Sequence, residues 1–315
     1  MLTRLFNNIS VQAGIIAFIS LIVLNAVGIY LIDIQDVTLS FGEHKIVFGT
    51  SIIRLFYVLI SSFVPIIYAT NVNSLGVFPG SFQKSILFGI SFLLLIELQF
   101  SIELILALPF ILLAFQKLFK IGNLADPRPL LFDIGVIAGF VSLFFVEAIV
   151  LIAFCWLAIL VFRTFNVKTI LIPVVGLFAA YTLAFFVSFI WDGFEFLNIL
   201  KHQYQKIEWG FIDYDFGVLL NLLGLLFLGL VSMINVLKSI VKATVFKRQV
   251  ITLCIGLILL SILLASSQKS SVNLLAFMIF PLSILLYDFL LSLKKWWQKD
   301  LIYLVLIFNL VLVLI

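Results

Sequence analysis

Charge is scarce in this sequence. Its 315 residues include only 19 Lys and Arg, 15 Asp and Glu and 2 His. The charged fraction is 11%, against about 25% in a soluble domain, which excludes a soluble enzyme of this length. Only two cysteines occur, Cys155 and Cys254, each inside an apolar run and without a partner at disulfide or metal-ligand spacing. A disulfide scaffold is therefore excluded, and both read as small hydrophobes facing lipid or the bundle. Alternating ten-residue strands are missing, so an outer-membrane barrel is excluded too. There is no phosphate-binding glycine loop, no HExxH, no zinc-ligand spacing and no nucleophile elbow. Neither a metal nor a cofactor is implied.

What is present is apolar. The chain is 64% hydrophobic with 35 phenylalanines, and its mean hydropathy is +1.31. Apolar runs recur near 11–32, 50–71, 84–99, 101–119, 130–146, 148–163, 169–191, 216–236, 250–267, 273–293 and 301–315. This pattern predicts an all-α polytopic membrane bundle, one transmembrane domain over 1–315 with about 11 spans. The run from Val11 to Ile32 is too long for a signal-peptide core and lacks a cleavage site, so it reads as an uncleaved first span. Two hairpins, 84–119 and 130–163, are built of short helices. Fifteen helical residues rise only about 22 Å, less than a hydrocarbon core of about 30 Å. Such helices must pack inside the bundle or open onto a water-filled cavity.

The few charges fix an orientation. With a cytoplasmic N-terminus, 14 of the 19 basic residues fall in inner loops, Lys84, Lys117, Lys120, Arg128, Arg163, Lys168, Lys247 and Arg248 among them. Eleven of the 15 acids face outward. This separation follows the positive-inside rule and points to a multi-span membrane protein with its N-terminus inside. The net charge of +4 sits in short loops rather than on a soluble face, so nucleic acid is not an expected partner. The longest outer loop, 192–215, repeats Leu197, Leu200, Tyr204 and Ile207 at helical spacing around Lys201, His202 and Lys206. It reads as a periplasmic interfacial helix. The inner loop 236–249, with four basic residues, reads as a helix end that touches anionic lipid.

Candidate chemistry lies on the outer side. Asp33 and Asp36 follow the first span, Glu103 opens the fourth, Glu147 caps the second short hairpin, and Asp192 and Glu195 follow the seventh. Outer loops are acidic partly because basic residues are kept inside. The functional alternative is a carboxylate cavity in which one carboxylate is general base toward an acceptor hydroxyl. Arg54, about a turn inside the second span, either snorkels to the headgroups or meets a lipid phosphate with its guanidinium fork. With Glu147, Asp192, Glu195 and His202 it makes up the candidate substrate-binding set. Asp133 and Asp288 lie near inner span ends, where Arg128 and Lys294 or Lys295 are the expected partners. Gly135-Val-Ile-Ala-Gly139 is a GxxxG that lets another helix approach closely. Ionisable residues are otherwise scarce at mid-membrane depth, which places a transporter third among the readings.

Two resemblances add to this. The stretch 97–191, with Ser101-Ile-Glu103, Gln116-Lys117-Leu-Phe-Lys120 and Asp133-Ile-Gly135-Val-Ile-Ala-Gly139, resembles the hairpin region of membrane glycosyltransferases of the C superfamily. The resemblance implies a glycosyltransferase-C-like core and a polyprenyl-phosphate-linked sugar or lipid as substrate, handled at the periplasmic face. It places the catalytic Asp at Asp36 or Asp33 and a second acidic position at Glu103. The first outer loop, 33–49, lacks room for the juxtamembrane helices that shape the acceptor site in that superfamily. The alternative is a non-enzymatic membrane subunit or scaffold of an envelope-assembly or secretion complex, with a membrane or periplasmic protein partner. The run Arg163-Thr-Phe-Asn-Val-Lys-Thr-Ile-Leu-Ile-Pro173-Val-Val-Gly176-Leu177 is similar to a segment of an uncharacterised multi-span inner-membrane family of Bacteroidota.

Overall fold

The structure is a computed structural model, and it describes residues 11–31, 37–41, 44–48, 50–94, 102–192, 216–239, 243–267 and 272–314. Each of the eleven apolar runs forms an α-helix: α1 (Val11–Leu31), α2 (Thr50–Ser74), α3 (Gln83–Leu94), α4 (Ile102–Lys120), α5 (Arg128–Ser142), α6 (Val150–Val161), α7 (Val167–Asp192), α8 (Phe216–Ser239), α9 (Val245–Ser267), α10 (Val272–Ser292) and α11 (Trp296–Leu314). Short 3-10 turns follow α4 (Ile121–Asn123) and precede α6 (Val146–Ile149). Four helical stretches among the described residues are long and apolar enough to cross a membrane: Glu103–Asn123, Val167–Ile190, Val245–Ala265 and Asn273–Ser292. One element departs from the all-α expectation. β1 (Val37–Phe41) and β2 (His44–Phe48) pair antiparallel, with Val37 opposite Phe48 and Phe41 opposite His44.

Contacts divide the chain into two compact units. The first comprises Met1–Gln99, Asp215–Leu228 and Leu286–Ile315; the second comprises Phe100–Tyr214 and Gly229–Leu285.

In the first unit α1, α2, α3 and α11 pack together. At 12 residues α3 is about 18 Å long, and its side chains from Gln83 to Leu93 are all buried. The short helix is thus internal, as its length requires. A Cβ on Gly89 would lie 2.2 Å from the Leu21 side chain, so the glycine lets α1 lie close against α3.

The second unit has a phenylalanine core. Phe115 of α4 stacks on Phe280 of α10, with centroids 4.5 Å apart, and also meets Phe154 of α6 at 5.8 Å. Phe154 and Phe145 both contact Phe277. Each such pair contributes about 0.5–1.5 kcal/mol beyond its area. Both cysteines are wholly buried, so they face the bundle.

The tightest contact in this unit joins α5 to α7. Because α6 intervenes, the two run parallel, and Gly135, Gly139 and Ser142 meet Pro173, Leu177 and Tyr181 in register. A Cβ on Gly135 would stand 2.1 Å from the Pro173 carbonyl oxygen. On Gly139 it would stand 2.8 Å from the Leu177 oxygen, and on Gly176 2.4 Å from the Phe132 oxygen. The GxxxG therefore acts as expected, with Gly176 as its counterpart. One turn on, the hydroxyls of Ser142 and Tyr181 are 2.7 Å apart.

Helix ends in this unit are defined by their caps. The Asn166 N–H donates to Thr169 Oγ1 at 3.0 Å, and the Lys168 N–H donates to Asn166 Oδ1 at 3.3 Å, a reciprocal cap that starts α7. A Schellman motif ends α6: the Thr164 N–H donates to the Ile159 carbonyl and the Arg163 N–H to the Leu160 carbonyl. Arg163 takes the left-handed position at φ 57°, where a side chain costs about 1–2 kcal/mol relative to glycine.

Two sequence expectations about charge are corrected. Asp133 pairs with Lys117 of α4 at 2.6 Å and not with Arg128, which pairs with Asp126 at 3.4 Å. Residues five apart on a helix stand about 140° around its axis, so Arg128 and Asp133 lie on different faces. Lys84 is not a loop residue. Its side chain is wholly buried in the first unit.

Candidate functional site

Six of the eight orphaned buried polar atoms among the described residues belong to the first unit: those of Asn25, Arg54, Tyr57, Asn71, Ser91 and Tyr303. Arg54, Tyr57 and Ser61 recur at three- and four-residue spacing and share one face of α2. Asn25 of α1 donates from Nδ2 to Ser62 Oγ at 3.1 Å, about two turns along α2 from Arg54, and to the Leu21 carbonyl at 2.8 Å. From α3, Phe92 stacks on Tyr57 at 6.5 Å, and Ser91 precedes it in the same helix. Asn25 is 1% exposed, Tyr57 5% and Ser91 0%.

Asn25 Oδ1, Arg54 Nε, Tyr57 Oη and Ser91 Oγ have no hydrogen-bond partner among the described residues. An orphaned buried polar group costs about 1–3 kcal/mol, and buried groups in native proteins are almost always satisfied by protein, water or ligand. The set offers a guanidinium N–H, two hydroxyls and an amide oxygen. That combination suits recognition of an anion bearing hydroxyl groups. It contains no general base of its own.

The carboxylates of the sequence reading distribute differently. Glu103 stands in the first turn of α4, and Glu147 in the 3-10 turn before α6, both in the second unit. The antiparallel packing of α4 on α5, with Phe110 against Phe140 at 5.7 Å, sets these two acids at the same end of that unit. Glu147 Oε1 accepts a hydrogen bond from Asn273 Nδ2 of α10 at 3.4 Å, a tie that sequence reasoning missed. Arg54 belongs to the first unit and Glu103 to the second. Asp192 is the last residue of α7, while Asp33, Asp36, Glu195 and His202 lie outside the described residues. Among the described residues no group of three or more His, Cys, Asp or Glu could hold a metal ion.

A polar cluster lies at the Ser74 end of α2. Lys84 Nζ donates to Asn73 Oδ1 and to the Pro79 carbonyl, the latter at 3.0 Å, and lies 4.6 Å from the centre of the Tyr287 ring. The Tyr287 hydroxyl donates to the same Pro79 carbonyl at 3.0 Å. Asn73 Oδ1 also accepts from the Ser81 N–H at 3.2 Å. Two hydrogen bonds and an aromatic face surround the ammonium, so this cluster is a lock between α2, α3 and α10 and not an open site. No sequence signal marks it, because its aromatic member lies about 200 residues from the loop it closes. Comparison with protein-family models, curated proteins and solved structures finds no match to this chain.

Proposed function

We propose that this chain is an eleven-span protein of the cytoplasmic membrane, with its N-terminus inside. In this reading it holds the polar head of a phosphate-bearing, hydroxyl-rich lipid at the outer face, of the kind in which a sugar is linked to polyprenyl phosphate. The observation that carries the reading is the unmet hydrogen bonding of Arg54 and of the buried polar residues Asn25, Tyr57 and Ser91. Its guanidinium would face the phosphate, while Tyr57, Ser91 and Asn25 would meet hydroxyls of the headgroup. Asp33 and Asp36, which follow α1 in sequence, are assigned as the base in a transfer step. The base takes the proton of an acceptor hydroxyl, whose oxygen attacks the sugar carbon as the lipid phosphate leaves with the bonding electrons.

Mass spectrometry of the protein extracted in mild detergent tests the binding step. An isoprenoid lipid phosphate should accompany the wild-type chain, and its occupancy should fall by about tenfold or more in Arg54→Gln, the loss of one charge-assisted hydrogen bond. Equal occupancy in both proteins would exclude Arg54 as the phosphate contact.

A second reading, a non-catalytic subunit of an envelope complex, is favoured by α7. Beyond its contacts with α5 and α6 this helix is largely exposed, with Leu183 67% and Ile190 80% exposed. That reading expects a stable partner to co-purify and to be released when 192–215 is deleted.

A further inference from the structure

Three basic segments that are far apart in sequence meet at one end of the second unit. The meeting point is Gly122, in the 3-10 turn after α4. A Cβ there would lie 2.4 Å from the Phe162 ring and 3.1 Å from the Phe246 ring. The two rings are themselves stacked at 6.3 Å, which ties the end of α6 to the start of α9. Each contact residue has basic neighbours: Lys120 two residues before Gly122, Arg163 directly after Phe162, and Lys247 and Arg248 directly after Phe246. Among the described residues here, Asp126 pairs with Arg128 and Asp133 with Lys117, while Arg248 Nε donates to the Ala243 carbonyl at 3.0 Å. Lys168, on the first turn of the neighbouring α7, adds another positive charge.

Arg163 gives a second, independent observation. Its side chain is exposed, yet its backbone occupies the left-handed position at φ 57° that glycine fills at least cost. The Schellman motif would close equally well, or better, around glycine. With arginine there, an exposed guanidinium stands at the helix end in place of a bare glycine.

We propose that Lys120, Arg163, Lys247 and Arg248 form a binding site for the headgroup of an anionic phospholipid such as phosphatidylglycerol. The site lies where α4, α6 and α9 reach the membrane surface. The arginine fork matches the phosphodiester oxygens, the lysines add charge attraction, and the Phe162–Phe246 pair forms an apolar floor between the three segments. The inference rests on the membrane location of the chain and is independent of the outer-face reading. A chain that binds no isoprenoid phosphate could still carry this site.

The test uses the full chain in lipid nanodiscs, either of phosphatidylcholine alone or with one quarter phosphatidylglycerol. The anionic lipid should raise the unfolding temperature of the wild type. The rise should shrink by more than half in a Lys120→Gln, Arg163→Gly, Lys247→Gln triple variant, at about fivefold weaker headgroup binding per charge removed. Arg163→Gly alone carries a sign test. In pure phosphatidylcholine it should unfold at or above the wild-type temperature, and in the mixed discs it should gain less than wild type. A Lys294→Gln, Lys295→Gln, Lys299→Gln variant, equal in charge loss, should keep the full rise. The site is overturned if the first triple variant keeps the full rise, if the second loses as much, or if inorganic phosphate reproduces the effect in phosphatidylcholine discs.

Discussion

Alanine at Gly135 is expected to force α5 away from α7 and to cost about 3 kcal/mol. The new methyl would stand 2.1 Å from the Pro173 carbonyl oxygen, 2.8 Å from its carbon and 2.9 Å from its Cα. These are backbone atoms, so no rotamer change relieves the overlap, and the helices must separate. Separation would stretch the Ser142–Tyr181 hydrogen bond one turn away. In lipid there is little hydrophobic penalty for parting two helices, so close packing and interhelical hydrogen bonds are what hold them. Gly14→Ala is the matched control. Its Cβ would meet only the Phe82 ring, at 3.1 Å, and alanine is favoured over glycine inside a helix by about 0.5–1 kcal/mol. Unfolding by titrated sodium dodecyl sulfate should separate the two variants clearly. Equal stabilities would mean that the α5–α7 contact is not a source of cohesion.

Methionine at Lys84 is the second large effect. It keeps most of the side-chain volume but removes two charge-assisted hydrogen bonds, to Asn73 and Pro79. At about 1.5 kcal/mol or more for each bond, the loss should reach about 3 kcal/mol. Both carbonyl acceptors keep one other donor, Ser81 N–H for Asn73 and the Tyr287 hydroxyl for Pro79, so the first unit should loosen rather than fail to fold. Lys117→Met is the comparison, since Lys117 and Asp133 retain 31% and 46% exposure. Such a partly solvated pair contributes about 1 kcal/mol or less. The same detergent titration should rank Lys84→Met well below Lys117→Met. The reverse order would assign the buried ammonium no structural role.

The helices were legible because runs of apolar residues bounded by basic loops and by glycine or proline leave little alternative. The GxxxG at Gly135 and Gly139 was legible as a contact surface, but its counterpart was not. Finding Gly176 requires knowing that α5 and α7 run parallel with α6 between them. Lys84 was misread because it follows the Gly76–Gly80 stretch, which looks like an ordinary inner loop. Burial follows from Asn73, Pro79 and Tyr287 closing around the side chain, and sequence spacing carries no trace of that. Asp133 was given the nearest cation in sequence, whereas helix rotation gives it one from a neighbouring helix. The β1–β2 pair had a signal that went unread: Val37-Thr-Leu-Ser-Phe41 and His44-Lys-Ile-Val-Phe48 flank a two-residue Gly42-Glu43 connection. The orphaned polar atoms of Asn25, Tyr57 and Ser91 had no signal, since these look like ordinary polar residues scattered in apolar runs. The basic convergence at Gly122 was half legible: the sequence marks each inner loop as positive, and only the Phe162–Phe246 contact joins them.

The central claim is that the two ends of the second unit lie on opposite sides of a membrane, the Arg163 end inside and the Glu147 end outside. Single cysteines flanking α5 test it most directly. Cys155 and Cys254 are wholly buried, so the native chain gives little background with a membrane-impermeant maleimide. Val146→Cys should label in intact cells, and Ala125→Cys only after the membrane is permeabilised. Labelling of Ala125→Cys in intact cells, or equal labelling at both positions, would contradict the account.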